Sequence, residues 1–284
     1  MSIELSEQKR RVAATYNLAS AGYDQEAVRF FPLCANRLVE LIGLQPGQRV
    51  LDVATGTGVA AIAAARSVGP AGHVVGVDIA TDMLEQAHRK VEAAQLTNIE
   101  FHEEDAEHLS YAENSFDAVI CAFGIFFLPE MLAGPREWKR VVREAGVVAF
   151  SAFGETAFQP ISDLFEARIR AYGVTFPVPR HPFSWQRLTS LEQCRTLLQD
   201  AGLEQIEGRA EQLGYYLRTP QEWWEIVWNS GFRGPVSQLS PEQLEQFKME
   251  HLAEVGQLAT DQGIWLDIPA FFVWGHKPPV DPSE

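Results

Sequence analysis

Val50-Leu51-Asp52-Val53-Ala54-Thr55-Gly56-Thr57-Gly58 is the stretch that decides how this chain reads. An apolar run ends in an acid, turns through Gly-Thr-Gly and enters the Ala-rich segment Val59 to Val68. That order predicts a buried strand, a tight turn and a helix start. Glycine carries no Cβ, so a ligand can approach the backbone closely at the turn. Unpaired N–H groups at the helix start can hold its polar groups. A nucleotide-like cofactor is expected.

Outward from the turn, the pattern repeats. His73-Val74-Val75-Gly76-Val77-Asp78 is a second short apolar strand ending in an acid. A helix is predicted over Asp82 to Ala94, with Thr81 as N-cap and Asp82 and Glu85 suited to its positive end. Ile99 to His102 reads as a third strand, running into Glu103-Glu104-Asp105-Ala106-Glu107. Phe116 to Ala122 is a fourth, and a helix over about 130–143 leads to a fifth, Val147 to Phe150. Strands alternating with helices imply a mostly parallel sheet, with ligands at the strands' carboxyl ends.

Past Gly154 the character changes. One of the seven tryptophans, Trp138, precedes it, and the other six follow. Prolines break up residues 157–183, so this part reads as inserted cover rather than sheet. Helix starts are expected at Ser190 with Gln193, at Thr219-Pro220-Gln221-Glu222 and at Ser240-Pro241-Glu242-Gln243. Leu203 to Glu207 is a candidate sixth strand. Trp265 to Trp274 is read as the last, antiparallel at or near the sheet edge. The expected fold is α/β, a Rossmann-like, doubly wound, mostly parallel seven-stranded sheet with an antiparallel last strand and helical lid insertions. Its expected division is an N-terminal helical cap (1–37), a cofactor-binding core (38–156 with 190–218 and 262–278) and substrate lid insertions (157–189 and 219–261).

A net charge of −15 repels phosphate backbones, and Lys9-Arg10-Arg11 and Lys139-Arg140 are too short to argue a basic patch. Nucleic acid and membrane insertion are therefore not expected; a small-molecule substrate is. Cys34, Cys121 and Cys194 are odd in number and scattered, so neither a disulfide framework nor a metal site is expected. A reducing compartment fits, and with no signal-like start the expected location is the cytoplasm. The oligomeric state is open, a homodimer being one option.

The glycine turn alone also satisfies the dinucleotide pattern Gly-x-Gly-x-x-Ala, with Asp78 twenty residues past Gly58. Asp52 inside the first strand, Asp105-Ala106 past the third and the Phe116–Gly124 segment turn the reading elsewhere. Together these motifs resemble the class I S-adenosylmethionine-dependent methyltransferases over residues 40–155, with Ala54 where many members have glycine. The resemblance implies S-adenosylmethionine as cofactor. It implies backbone at Ala54, Thr55, Gly56 and Gly58 beside the methionine portion, and Asp52 on the amino group. Asp78 would take the ribose hydroxyls, Ile79 and Met83 the adenine faces, and Asp105 with the Ala106 N–H the adenine edge. Ala122 and Phe123 would lie beneath the methyl. Simpler roles compete: Asp52 as a turn cap, Met83 as core, Asp105 as an N-cap.

The Phe-Gly-Ile run at Phe123 to Ile125 resembles methyltransferases of ubiquinone and menaquinone biosynthesis, as do Tyr16 and Tyr23-Asp24 ahead of the core. That likeness implies an N-terminal segment over the cofactor, with Tyr16 and Tyr23 closing the site. The Asn/Asp-Pro-Pro-aromatic motif of nucleobase-amine methyltransferases is absent after the fourth strand. The expected reaction is in-line methyl transfer to a small apolar or aromatic metabolite. C-methylation of a quinone precursor is the narrower alternative. A nicotinamide oxidoreductase and a non-catalytic cofactor-binding protein remain as other classes. The catalytic residue is not identified; His181 is a candidate base, and Tyr16 and Tyr23 are candidates whose hydroxyls would reach the cofactor carboxylate or the substrate. Arg29 and Arg180 are candidate anchors for a substrate acid, and Trp223, Trp224 and Trp228 for a greasy pocket or lid core.

Overall fold

Strand β1 (Arg49–Val53) is buried from Val50 onward, as a strand covered on both faces must be. It lies near the middle of a seven-stranded sheet in a computed structural model that describes residues 5–176 and 183–279. Two helices precede it, α1 (Glu7–Ala19) and α2 (Phe30–Ile42), the second closed by Gly43 in the left-handed conformation. After it come α3 (Val59–Val68), β2 (His73–Asp78), α4 (Thr81–Ala93), β3 (Ile99–Glu103), β4 (Phe116–Ala122), α5 (Ala133–Val141) and β5 (Val142–Phe153). The second half holds α6 (Ile161–Ala171), α7 (Leu191–Asp200), β6 (Glu204–Gln212), β7 (Tyr215–Leu217), α8 (Pro220–Trp228) and α9 (Arg233–Val236). It closes with α10 (Pro241–Gly256), β8 (Ile264–Leu266) and β9 (Pro269–His276).

The strand order is β3-β2-β1-β4-β5-β9-β6. β1 to β5 pair in parallel, and β9 runs antiparallel to both β5 and β6. The expected Rossmann-like sheet with an antiparallel last strand is present. Chain direction across the sheet reverses at β1: β2 and β3 lie on one side, β4 and β5 on the other. A crevice at the carboxyl ends of β1 and β4 follows from that topology. Small side chains in α3 (Ala60, Ala61, Ala64 and Ala65, all buried) let the helix after the glycine turn pack close to its neighbours.

Several boundaries differ from expectation, each for a local reason. The Trp265–Trp274 run is two strands. Asp267 interrupts it, because its side chain accepts from Thr156 Oγ1, Gln212 Nε2 and Trp265 Nε1. The first piece, β8, leaves the main sheet to pair with β7. The second, β9, sits one strand in from the edge, with β6 outside it. The helix expected over 130–143 is the shorter α5, and β5 begins directly after it at Val142. Thr81 is the first residue of α4 rather than its cap. The N-cap is Ala80, which has no side-chain oxygen, and the Asp82 N–H is taken by Asn17 Oδ1 of α1. Ser240 and Gln243 form the full reciprocal box. Ser190 accepts from the Gln193 N–H, while Gln193 turns to Thr189. Thr219 makes no side-chain cap; Glu222 instead accepts the Arg218 N–H.

The second half packs as aromatic core. Phe158, Phe165, Phe183, Trp185, Trp223 and Phe232 meet in edge-to-face, tilted and stacked pairs, each adding about 0.5–1.5 kcal/mol beyond area burial. No helix among the described residues is long and apolar enough to cross a membrane.

Candidate functional site

The turns after four successive strands supply the crevice. Ala54 and Gly56 follow β1, Asp78 to Ala80 end and follow β2, Glu104 to Ala106 follow β3, and Ala122 to Gly124 end and follow β4. Helix α1 crosses the opening with Lys9, Val12, Ala13 and Tyr16, and Tyr23 follows on. The space enclosed, including its mouth, is about 730 Å³.

The two motif glycines do different work. At Gly56 (φ +55°) an added Cβ would meet nothing within 4 Å, so its backbone borders open space. At Gly58 (φ +76°) a Cβ would lie 2.8 Å from Phe101 Cζ and 3.1 Å from Ala87 Cβ. Gly58 therefore lets α3 pack close to β3 and α4. It does not line the crevice, contrary to expectation, and neither do Thr55 and Asp52. Thr55 turns inward to donate to Asp52 Oδ2 at 2.6 Å. Asp52 is fully buried, and its Oδ1 has no partner. Burial pushes its carboxyl up to about 7, the nearby Asp78 charge adds to this, and the Thr55 hydroxyl opposes it.

Asp78 is placed on the wall by two backbone donors. The Ala80 N–H donates to Oδ1 and the Gly56 N–H to Oδ2, both at 2.8 Å. Burial raises its pKa and these donors resist. Its carboxylate keeps acceptor capacity for a further donor. Ile79, Met83, Ala106, Ala122 and Phe123 also line the space, Met83 only 1% exposed. Two wall residues without glycine's freedom take left-handed backbone: Ala54 at φ +52° and Phe123 at φ +55°. The Phe123 N–H is held by Ser151 Oγ, which also accepts from Cys34 Sγ. Its ring stacks on Phe153 with centroids 3.8 Å apart.

The open side is aromatic. Tyr16 meets Tyr23 and Phe127 edge-on, and Tyr23 stacks on Phe31 at 4.4 Å. Burial, with the Asp78 charge, drives the Tyr16 phenol far above its usual range, and burial does the same to Tyr23. Both stay protonated near neutrality, which suits hydrogen-bond donors and argues against either as a base. Beyond Tyr23, Asp24 accepts from Thr57 Oγ1 and Lys90 Nζ, pinning the cap to the glycine turn.

Asp105 is on the wall, as expected, but it already has a partner. Lys9 Nζ lies 2.8 Å from its Oδ1 and 2.6 Å from its Oδ2, and also pairs with Glu107. In the sequence Lys9 reads only as part of a short basic run. The available signal is its spacing: Lys9, Val12, Ala13 and Tyr16 recur at i, i+3, i+4 and i+7, one helix face. Burial alone would lower its pKa, but the hydrogen bonds and charges of Asp105 and Glu107 outweigh it and raise the ammonium above the usual value. Glu104, Phe127 and Leu128 are further wall residues that motif spacing did not single out.

Other candidates lie elsewhere. Trp223 is core, donating from Nε1 to His251 Nε2 at 2.8 Å, and Trp224 stacks with Trp228. None of the three lines the crevice. Arg29 lies over the Tyr215 ring, 3.5 Å from its centroid, and is no crevice anchor. His181 and Arg180 fall outside the described residues.

The donor and acceptor chemistry fits an adenosyl sulfonium. Asp78 and Asp105 are acceptors on the wall, Asp52 Oδ1 is an unpartnered buried acceptor, and Gly56 leaves backbone open. Ribose hydroxyls, an adenine amine and an ammonium are the donors such a set requires.

Comparison with known proteins agrees. A methyltransferase-domain family profile matches residues 50–146. The chain is 33% identical over 147 residues to aklanonic acid methyltransferase DauC of Streptomyces sp. (strain C5), covering 52% of this chain and 67% of that one. It is 28% identical over 212 residues to the demethylmenaquinone methyltransferase of Listeria welshimeri, covering 70% and 90%. Among solved structures, a SAM-dependent methyltransferase from Aquifex aeolicus shares the fold, with TM-score 0.51, 21% identity and coverage of 72% and 92%.

Proposed function

Since the chain belongs to the class I S-adenosylmethionine-dependent methyltransferases, we propose that it methylates a small apolar or aromatic metabolite held against the aromatic side of the crevice. S-adenosylmethionine, when bound, supplies an electrophilic methyl group on a positively charged sulfur. The nicotinamide reading falls with the family, and the packing role of Gly58 removes the feature that favoured it.

One observation carries the proposal: acceptor carboxylates line one side of a single crevice and aromatic rings the other. In this reading Asp78 accepts from the ribose hydroxyls and Asp105 from the adenine amine. Asp52, fully buried and off the wall, would reach the ammonium of the methionine portion only through an intervening water. Ile79 and Met83 flank the adenine, and the thioether of Met83 suits that contact. Ala54 and Gly56 pass along the methionine portion. Ala122 and Phe123 form the floor beneath the methyl.

The chain's own contribution is placement. Holding nucleophile, methyl carbon and sulfur in line is worth roughly 7–11 kcal/mol of barrier. Tyr16, Tyr23 and Phe127 exclude water from the sulfur side, so a cation is solvated less well than in bulk as it is consumed. With both phenols held neutral, the acceptor's proton leaves before transfer or passes to a group other than Tyr16 and Tyr23.

The Listeria relative, matched over 90% of its length, acts by its name on demethylmenaquinone and favours a quinone-type acceptor. The Streptomyces relative acts on aklanonic acid, which favours an acid. Turnover assays with S-adenosylmethionine against a panel of quinols, phenols and aromatic carboxylic acids separate the two. Product formation with a flat aromatic acceptor is the expected result. Turnover confined to aliphatic polar amines would overturn the proposed substrate class.

A further inference from the structure

Lys9 is a nearly buried lysine, 7% exposed, on a helix that is otherwise cover. Its ammonium joins α1 to the turn after β3. It pairs with Asp105 in the turn after β3 and with Glu107 two residues on. Glu107 in turn accepts the Glu130 N–H from the segment after β4. Lys9 therefore ties α1 directly to the turn after β3 and, through Glu107, to the segment after β4.

The geometry at Asp105 gives this contact a second consequence. Its carboxylate has about four acceptor positions. Oδ1 takes Lys9 Nζ and the Glu107 N–H, at 2.8 and 3.0 Å. Oδ2 takes Lys9 Nζ at 2.6 Å. His108 Nδ1 stands 3.5 Å from Oδ2 on a largely exposed ring, beyond a good hydrogen bond. One acceptor position on Oδ2 is left. Without the Lys9 ammonium, the Asp105 and Glu107 carboxylates would lose the donor they share and be free to turn apart.

Resting on the adenosyl reading above, we infer that Lys9 is a positioning residue for the cofactor: it locks Asp105 so that one oxygen meets one N–H donor, and thereby sets preference for a 6-amino purine. At position 6 a 6-oxo purine presents an acceptor, and a carboxylate oxygen already taking Lys9 has only lone pairs to set against it. Lys9 acts through Asp105, so its removal affects discrimination between the two bases more than affinity as such.

The test is calorimetric titration of wild type, Lys9→Met and Lys9→Arg with S-adenosylhomocysteine and with its deaminated counterpart, S-inosylhomocysteine. Wild type should prefer the adenosyl compound by about tenfold or more, the scale of one charge-assisted hydrogen bond. Lys9→Met should lose about tenfold toward the adenosyl compound and less than about threefold toward the inosyl one. Lys9→Arg should recover most of the preference. Equal losses toward both ligands would mean that Lys9 merely holds the helix, and no loss would mean no role; either overturns the inference and leaves the cofactor reading intact. A wild type that bound neither ligand would overturn both. If Lys9→Met does not fold, Lys9→Gln, which keeps hydrogen-bonding reach without charge, is measured against the same outcomes.

Discussion

Asn17 Oδ1, on the helix that crosses the crevice, accepts the backbone N–H of Asp82 at 3.1 Å and so caps a helix belonging to the sheet core. The cap arrives from another element because Ala80, at the N-cap position itself, has no oxygen to offer. Helix α4 thus depends on α1 for one of its orphan donors, and α1 is held over the cofactor end in return. Asn17→Ala should cost about 1 kcal/mol, the usual worth of a cap, read by urea denaturation. It should also speed proteolysis within residues 5–19. Unchanged values in both would mean that water replaces Asn17 at no cost.

Asp78 is the acid most exposed to test. Asp78→Ala removes the acceptor proposed for the ribose hydroxyls and should weaken S-adenosylhomocysteine binding by about tenfold or more. Its carboxylate also holds the Gly56 and Ala80 N–H groups, so Asp78→Asn, which keeps one acceptor oxygen, separates loop collapse from ligand loss. Calorimetry on both variants, with far-UV circular dichroism as the control for folding, gives the answer. Wild-type affinity in a folded Asp78→Ala would remove the ribose assignment.

Ala54 carries a Cβ at φ +52°, where that atom costs roughly 1–2 kcal/mol. It also sits 2.7 Å from where a Cβ on Gly124 would stand, so Gly124 has to remain glycine. Ala54→Gly should leave the melting temperature unchanged or raise it by a few degrees, the relief of strain offsetting glycine's greater entropy. Ala54→Val should lower it by more, because a β-branched residue is excluded from this backbone region. The two melting curves together check the strain. A stable valine variant would refute it.

His251 predicts acid sensitivity. Burial among Phe165, Phe247 and Trp223 holds its pKa down to about 4, with Glu254 pulling the other way and Arg168 reinforcing burial. Nε2 accepts from Trp223, so a proton there breaks that bond. Below about pH 6.5 the unfolded chain takes up a proton that the folded one refuses. The stabilisation is therefore complete above pH 6.5 and is lost as pH falls toward 4, by an amount on the order of 3 kcal/mol. His251→Gln keeps an acceptor for Trp223 and does not titrate. Its stability, from urea midpoints across pH 4–7, should fall less steeply than the wild type's; parallel curves would exclude His251 as the source.

Periodicity and residue type carried the core of the fold. Val50 to Val53, His73 to Asp78 and Phe116 to Ala122 are short apolar runs whose burial on both faces leaves them nowhere to go but a parallel sheet. Asp78 at the end of the second run and Asp105 just past Ile99 to Glu103 announced the crevice, because an acid at a buried strand's end has few structural uses. Those signals are local, held within a few residues of backbone, and they survive folding unchanged. The aromatic second half carries no such signal. Trp223 and Phe232 meet through tertiary packing, which apolar composition permits in many arrangements.

What the amino-acid order determined by itself is the frame of the crevice: the turn after β1, the acids Asp78 and Asp105, and a mostly parallel sheet whose strands' carboxyl ends carry them. What tertiary structure alone decided is which of two glycines faces the ligand, which carboxylates remain free, and what covers them. Gly58 meets Phe101 and Asp105 meets Lys9, 96 residues away in the chain. No spacing rule reaches that far, because such contacts are chosen by the energy of burying a charge or closing a gap once the elements have met.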